Sequence, residues 1–190
     1  MNRWEVINRI IKKYNHKTYL EIGVRTRHTY DQISLIDENK QSIDPAYDWV
    51  TYSMTSDEAF QSMKNNEKWD CIFIDGLHTA EQVKKDIKNS LKHLNTGGTI
   101  VCHDMLPPNE KDLSLSRCGN GWEAFANLRI SNKNLIMYVV DTDYGCGVIR
   151  RGNQVLYEDE NFSHEFSYFK SNKKNLMNIK SVTEFKEMMK

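Results

Sequence analysis

No apolar run in the chain approaches the roughly 20 residues that a helix needs to cross a bilayer, so none is expected to span a membrane. Charge of either sign is not in excess. The 26 basic and 26 acidic residues cancel, which removes any whole-chain attraction to nucleic acid or to an anionic membrane surface. Cysteine is scarce, and Cys71, Cys102, Cys118 and Cys146 form no close CxxC pair. With two of the four inside apolar runs, they read as reduced thiols of a cytoplasmic protein, against a disulfide framework or a zinc site. The opening residues Met1 to Glu5 are charged and are not followed by an apolar core and a cleavage site, so no secretory signal is expected. No internal repeat is present, and 190 residues suit one domain with a full hydrophobic core.

What the chain does have is alternation. Trp4, Ile7, Ile11 and Tyr14 recur at helical spacing, with Ile10 widening the stripe, which predicts an amphipathic leading helix within residues 1–15. Strands are predicted at Thr18 to Gly23, at Lys40 to Pro45, and as a third at Val50 to Met54, with a helix from His28 to Ile36 after the first. Thr55, Ser56, Asp57 and Glu58 supply N-cap residues and first-turn acids for a helix through Met63. Trp69 to Ile74 has the unbroken apolar run of a strand buried on both faces. Ala80, Val83, Ile87, Leu91 and Leu94 trace one helical face, expected to end at Thr96-Gly97-Gly98, and Thr99 to Cys102 is the next buried strand.

The polar span from Asp104 to Gly121, containing Pro107-Pro108, is expected to loop over the strand ends, where binding loops and lids lie. A helix at Trp122 to Ile130 precedes a predicted antiparallel hairpin at the sheet edge, Leu135 to Val140 with Cys146 to Arg150. The pattern predicts an α/β domain over residues 1–157, a doubly wound and mostly parallel sheet with an antiparallel edge hairpin. A helical tail over 158–190 follows, with helical pieces at His164 to Tyr168 and Val182 to Met189. Its Phe162, Phe166, Tyr168, Phe169, Leu176 and Met177 either pack on their own domain or mediate a homo-oligomer.

Chemistry concentrates where two apolar runs end abruptly, at Asp75-Gly76-Leu77-His78 and at His103-Asp104. In an open α/β sheet ligands bind beyond the carboxyl ends of the strands, so both clusters are expected to face one crevice. Each has a plain alternative. Asp75 would serve equally to cap the helix near Thr79, His78 to start it, and His103 to satisfy a hydrogen bond at the end of a buried strand. Convergence of two separate strand ends is what favours a site.

The order of Leu20-Glu21-Ile22-Gly23, Ile43-Asp44-Pro45, Ile74-Asp75-Gly76-Leu77-His78 and Gly97-Gly98-Thr99-Ile100-Val101-Cys102-His103-Asp104 resembles the class I S-adenosylmethionine-dependent methyltransferases, whose fold is Rossmann-like. Within them it looks most like the metal-dependent sugar O-methyltransferases of macrolide tailoring and related surface-glycan enzymes. The match spans residues 18 to 150. The resemblance implies an S-adenosylmethionine cofactor held by Glu21, Gly23, Arg25, Asp44, Ser56, Asp57 and Asp75. It also implies Mg²⁺ or another divalent cation on Asp75 and Asp104, His78 as general base, and a small-molecule acceptor, a sugar or glycan precursor.

The residue types suit these roles. Asp44 stands at the end of the second strand, where an acid accepts from ribose hydroxyls, or caps the Asp-Pro turn. Gly23 lets backbone approach a cofactor, whereas Arg25 and Arg27 stand where the superfamily tends to repeat glycine. Either guanidinium would clamp the methionine carboxylate or lie in solvent. Ser56 and Asp57 fall where adenine is enclosed, or serve as a helix cap. Hard carboxylate oxygens suit Mg²⁺, and an imidazole titrates in the range needed to take a proton. His103, Asp143 and Tyr144 are candidate substrate contacts, although turn chemistry also explains Asp141 and Asp143. Glu110 and Trp122 are weaker lid candidates. Two further functions fit the residues: a non-haem iron oxygenase using His78, His103 and Asp104, and a non-catalytic binding domain whose altered loop no longer takes cofactor.

Overall fold

A computed structural model describes residues 1–190. The strands are β1 (Tyr19–Ile22), β2 (Lys40–Ile43), β3 (Trp69–Ile74), β4 (Leu94–Cys102), β5 (Leu135–Val140), β6 (Cys146–Arg151) and β7 (Ile179–Lys180). They form one sheet in the order β2-β1-β3-β4-β6-β5-β7. β1 to β4 run parallel, β6 is antiparallel to β4 and β5, and the two-residue β7 lies parallel to β5 outside the hairpin. The helices are α1 (Arg3–Tyr14), α2 (His28–Gln32), α3 (Ser56–Ser62), α4 (Ala80–Lys92), α5 (Trp122–Ser131), α6 (Phe166–Leu176) and α7 (Val182–Met188). None is long and apolar enough to cross a membrane.

Strand periodicity divides the core in two. Leu20, Ile72, Ile74, Ile100 and Cys102 point to the face that packs α3 to α6, while Tyr19, Cys71, Phe73 and Val101 point to the face under α1 and α7. This two-sided burial explains why the central strands read as unbroken apolar runs. α1 buries Val6, Ile7, Ile10 and Ile11, each worth about 1.5–3 kcal/mol of transfer free energy. The tail belongs to the same core. Phe169, Leu176 and Met177 are fully buried on one face and Phe185 on the other, and Phe162, Phe166 and Tyr168 are partly buried against the first.

The first tail helix runs over Phe166–Leu176 instead of His164 to Tyr168, and the tail adds the strand β7 where only helices were expected. Three further elements differ from the sequence expectation, each for a local reason. The third strand is a single bridge, Tyr52 to Ile43. Pro45 has no N–H for a ladder, and the Ala46 amide donates instead to Asp44 Oδ1 at 2.9 Å, so pairing stops there. α4 ends at Lys92, and Leu94 to Gly98 open β4 instead of closing the helix. Gly98 permits this, because a Cβ there would come within 2.8 Å of the Asp70 carbonyl oxygen on β3. α2 stops at Gln32, where the Asn8 side chain of α1 donates to the Gln32 carbonyl and accepts from the Ser34 amide.

Candidate active site

The carboxyl ends of β1 to β4 open on one side of the sheet, and the two polar clusters meet there. Asp75 Oδ1 lies 3.1 Å from His103 Nδ1 and 3.6 Å from His78 Nε2. Asp104 Oδ2 lies 3.2 Å from His103 Nδ1 and 3.5 Å from His78 Nε2. Asp104 is held at a φ of 61°, a left-handed conformation that costs a non-glycine residue energy and aims its carboxylate inward.

Arg3, at the first turn of α1, enters from the far end of the chain. Its guanidinium donates to Asp75 Oδ2 at 2.8 Å and to Asp143 Oδ2 at 3.1 Å, and approaches His103 Nδ1 at 3.3 Å. The Arg3 amide also donates to Asp143 Oδ2 at 2.8 Å. Asp143 and Tyr144 have φ of 47° and 60°, so the turn between β5 and β6 is strained as it presents both side chains to this crevice. Burial alone would raise the Asp75 carboxyl, yet His103, His78 and Arg3 hold it well below its ordinary value. Asp143 is depressed in the same way, against burial, by His103 and Arg3. Burial opposes charge on His103, but Asp75, Asp104 and Asp143 together push its pKa well up.

The loop after β4 closes over His78. The ring Nδ1 meets the Arg117 carbonyl, the Asn120 amide donates to the His78 carbonyl at 3.0 Å, and the Asn120 side chain accepts from the Ala80 amide. The Asp75 hydrogen bond leads the contacts that raise the His78 pKa. A carbonyl only accepts, so a neutral His78 carries its proton on Nδ1 and turns the Nε2 lone pair toward Asp75 and Asp104. Asp75, His78 and Asp104 then each offer one acceptor atom, all within 4.8 Å of one another. Two carboxylates so close are stable with a cation between them, and their hard oxygens fit a divalent metal, with the His78 ring beside it.

Two cavities meet at these strand ends and share Gly23, Arg25, Asp75 and His78. One, of about 600 Å³, is bordered by Arg3, Glu21, His103, Asp104, Tyr144 and the loop residues Asp112, Ser116, Arg117 and Cys118. The other, of about 550 Å³, is bordered by Ile22, Ile43, Asp44, Pro45, Ser56, Asp57, Leu77 and Gln82.

The cofactor candidates are placed as follows. Asp44 accepts from the Val24 amide at 3.0 Å and the Arg25 amide at 3.3 Å, so it holds the loop after β1 as well as capping its own turn. A carboxylate has about four acceptor sites, which leaves capacity for one hydroxyl. Gly23 is explained by backbone crowding: at φ 85° its Cβ would lie 2.3 Å from the Asp75 carbonyl oxygen. Arg25 and Arg27 keep left-handed φ of 44° and 61°, so the loop adopts a glycine-like course without glycine. Arg25 borders both cavities, whereas Arg27 pairs with Asp31 and packs on Trp49. Glu21 is buried, accepts from the Tyr19 hydroxyl at 2.6 Å, and is pushed up to about 8 by burial. The cap of α3 is Thr55, not Ser56 or Asp57. Ser56 donates to the buried Asp86, and Gln82 bridges Ser56, Asp57 and Asp86.

Residues 20–105 match the model of a family described as a methyltransferase domain. Over that stretch, under half of its length, the chain is similar to a methyltransferase domain. Its sheet and helices have the class I S-adenosylmethionine-dependent methyltransferase fold, shared with a protein assigned as a caffeoyl-CoA O-methyltransferase from Staphylococcus aureus. There the identity is 16%, with 78% of this chain and 82% of that one covered at a TM-score of 0.57. The O-methyltransferase TomG from Streptomyces achromogenes, involved in tomaymycin synthesis and solved with S-adenosylmethionine, is 10% identical over 78% of this chain and 79% of its own, at 0.56. The N-methyltransferase NodS from Bradyrhizobium japonicum is 16% identical over 80% and 93%, at 0.50. No curated protein matches the chain by sequence.

The fold brings Asp75, His78, His103, Asp104 and Tyr144 to one cavity, with Asp143 3.5 Å from His103 Nε2 beside it. Trp122 lies elsewhere, fully buried against Phe169 with ring centroids 4.2 Å apart. Sequence reading missed Arg3, Gln82, Asp112 and Arg117. Arg3 sits 140 residues from Asp143 and looks like any charge on an amphipathic helix, so no local signal marks it.

Proposed function

We propose that this chain is an S-adenosylmethionine-dependent O-methyltransferase acting on a hydroxyl of a sugar or glycan precursor. The observation that carries the reading is the convergence of Asp75 Oδ1, Asp104 Oδ2 and His78 Nε2 beside a cavity bordered by Gly23, Arg25 and Asp44. The cofactor's adenosine would lie against Ile43, Asp44, Ser56, Asp57 and Leu77, and its methionine carboxylate would reach Arg25. In-line displacement at the sulfonium methyl needs an oriented acceptor oxygen and an outlet for its proton.

A divalent cation held by Asp75 and Asp104 would lower the pKa of the acceptor hydroxyl. His78 Nε2 takes the hydroxyl proton, Arg3 fixes Asp75 by holding its Oδ2, and Tyr144 and the loop residues Ser116 and Arg117 border the acceptor. Asp112 holds Arg117 at 2.5 Å, so the loop is tied down as it covers the site. The two imidazoles also suggest an iron site, but His103 Nδ1 is already taken by Asp75 and Asp104 at 3.1 and 3.2 Å, with the Arg3 guanidinium 3.3 Å away, which favours methyl transfer. Four buried unpaired thiols support a cytoplasmic setting.

The test is transfer of labelled methyl from S-adenosylmethionine to a panel of sugars and nucleotide sugars, with Mg²⁺, with Mn²⁺ and with chelator. Cation-dependent methyl ether formation is expected. Chelator-resistant turnover would remove the cation from the mechanism, and transfer to nitrogen alone would remove the hydroxyl acceptor.

A further inference from the structure

We propose that the loop from Met105 to Gly121 is a positioning device for His78. The Arg117 carbonyl selects the ring's Nδ1–H tautomer, and Gly119 is the residue that lets the loop come close enough to do so. The consequence for turnover rests on the methyltransferase reading above; the tautomer itself does not.

Four observations converge on His78. Its Nδ1 is held by the Arg117 carbonyl, an acceptor that admits only a donor opposite it. Its own carbonyl is held by the Asn120 amide at 3.0 Å, so ring and backbone are gripped by residues three apart on one loop. Gly119, between them, has a φ of 59°, and a Cβ there would lie 2.2 Å from the His78 carbonyl oxygen and 2.7 Å from its Cβ. No larger residue fits without moving loop or histidine, and a left-handed φ is in any case unfavourable for one.

The fourth observation is the anchor that keeps the carbonyl in place. Asp112, in the short 3-10 helix Glu110–Leu113 within this connection, is only 3% exposed, and it accepts from the Arg117 guanidinium and from Asn109 Nδ2. Its carbonyl receives the Cys118 amide at 3.0 Å, and the Ser114 carbonyl receives the Arg117 and Gly119 amides. The turn that carries the Arg117 carbonyl is therefore closed on both sides. A histidine with one ring nitrogen fixed on a backbone carbonyl presents the other in one orientation, here toward Asp75 and Asp104. Because Asp112, Ser116, Arg117 and Cys118 also border the larger cavity, the same loop covers the acceptor and sets the histidine. An acceptor seated with the loop displaced would meet a ring free to rotate or to change tautomer.

The experiment uses the full chain, ¹⁵N-labelled at histidine and treated with chelator, and reads the ring nitrogens of His78 at about pH 9.5, some three units above an unperturbed imidazole. The parent is expected to show a protonated Nδ1, bonded to the Arg117 carbonyl. Gly119→Ala is expected to give a tautomer mixture, with turnover down about 100-fold and the KM for S-adenosylmethionine unchanged. Asp112→Asn keeps the glycine and adds no bulk, so it carries the same test if Gly119→Ala does not fold; it is expected to move the ring in the same direction, by less. A parent ring with an unprotonated Nδ1 overturns the proposal, as does an unaltered Nδ1 signal in both variants. Titration of the parent with S-adenosylhomocysteine separates this result from the fate of the functional reading, since the tautomer is read without cofactor or acceptor.

Discussion

The two cavities that meet at Gly23, Arg25, Asp75 and His78 are assembled in different ways. The smaller one draws every bordering residue from between Ile22 and Gln82, inside the stretch that matches the methyltransferase-domain family. The larger one draws on Arg3 at one extreme and Tyr144 at the other, with the loop after β4 laid across them. Local segments of a parallel sheet suffice to hold a nucleotide-like group, because strand ends and the following turns are sequence neighbours. An acceptor site needs groups converging from several directions, and here α1, the β5–β6 turn and a long loop supply them. On the proposed reading, variation of those outer segments would change the acceptor without disturbing the cofactor half.

Substitutions should separate the halves, and Asp75, which borders both, should have the largest effect. Asp75→Asn leaves the Arg3 and His103 charges without their shared partner, and turnover on an acceptor found by the sugar screen should fall about 1,000-fold together with Mn²⁺ affinity. Unfolding in urea should show a loss of about 2 kcal/mol. His78 also borders both cavities, but its proposed part is proton transfer and not cofactor contact, so in His78→Ala turnover should fall about 100-fold while calorimetry finds S-adenosylhomocysteine affinity intact. A loss of cofactor binding in that variant would break the division between the cavities.

Asp44→Ala tests the other half. It removes the acceptor for the Val24 and Arg25 amides as well as the candidate ribose partner, and S-adenosylhomocysteine affinity should drop about 30-fold, with Mn²⁺ binding unchanged. Beneath the same cavity, burial raises the Asp86 carboxyl to about 6. The folded chain keeps that proton to about pH 6, while the unfolded chain releases it near pH 4. Stability contributed by the neutral form is thus complete below about pH 4 and lost as pH rises through 6. Asp86→Asn should remove this loss, gaining about 2 kcal/mol relative to the parent between pH 4 and pH 7 in urea unfolding. The smallest effect is expected at Arg25→Gly: stability within about 0.5 kcal/mol of the parent, because relief of a left-handed φ offsets added chain entropy. Cofactor affinity should fall about fivefold if the guanidinium holds the methionine carboxylate.

The same contrast accounts for what could be read in the residues alone. Asp75, His78, His103 and Asp104 were legible because they follow directly on two apolar strands, β3 because its apolar run is unbroken and α4 because its helical periodicity is clean. Arg3 was not, since its role depends on the Asp143 carboxylate far along the chain, held in a strained turn. Gly97 and Gly98 resembled a helix stop, yet Gly98 serves the close passage of β4 past Asp70. Arg25 and Arg27 were legible as a departure from a glycine-rich loop. Only the backbone shows that they keep its conformation, paying in strain what glycine would give freely.

The central claim is that S-adenosylmethionine occupies the smaller cavity with its sulfonium where the two cavities meet, beside Asp75 and His78. Calorimetric titration of the parent protein with S-adenosylmethionine and S-adenosylhomocysteine, with and without Mn²⁺, tests it most directly. The account predicts one-to-one binding of about micromolar strength for both ligands, in either condition. Absence of binding for both, with the cation present and absent, would contradict it.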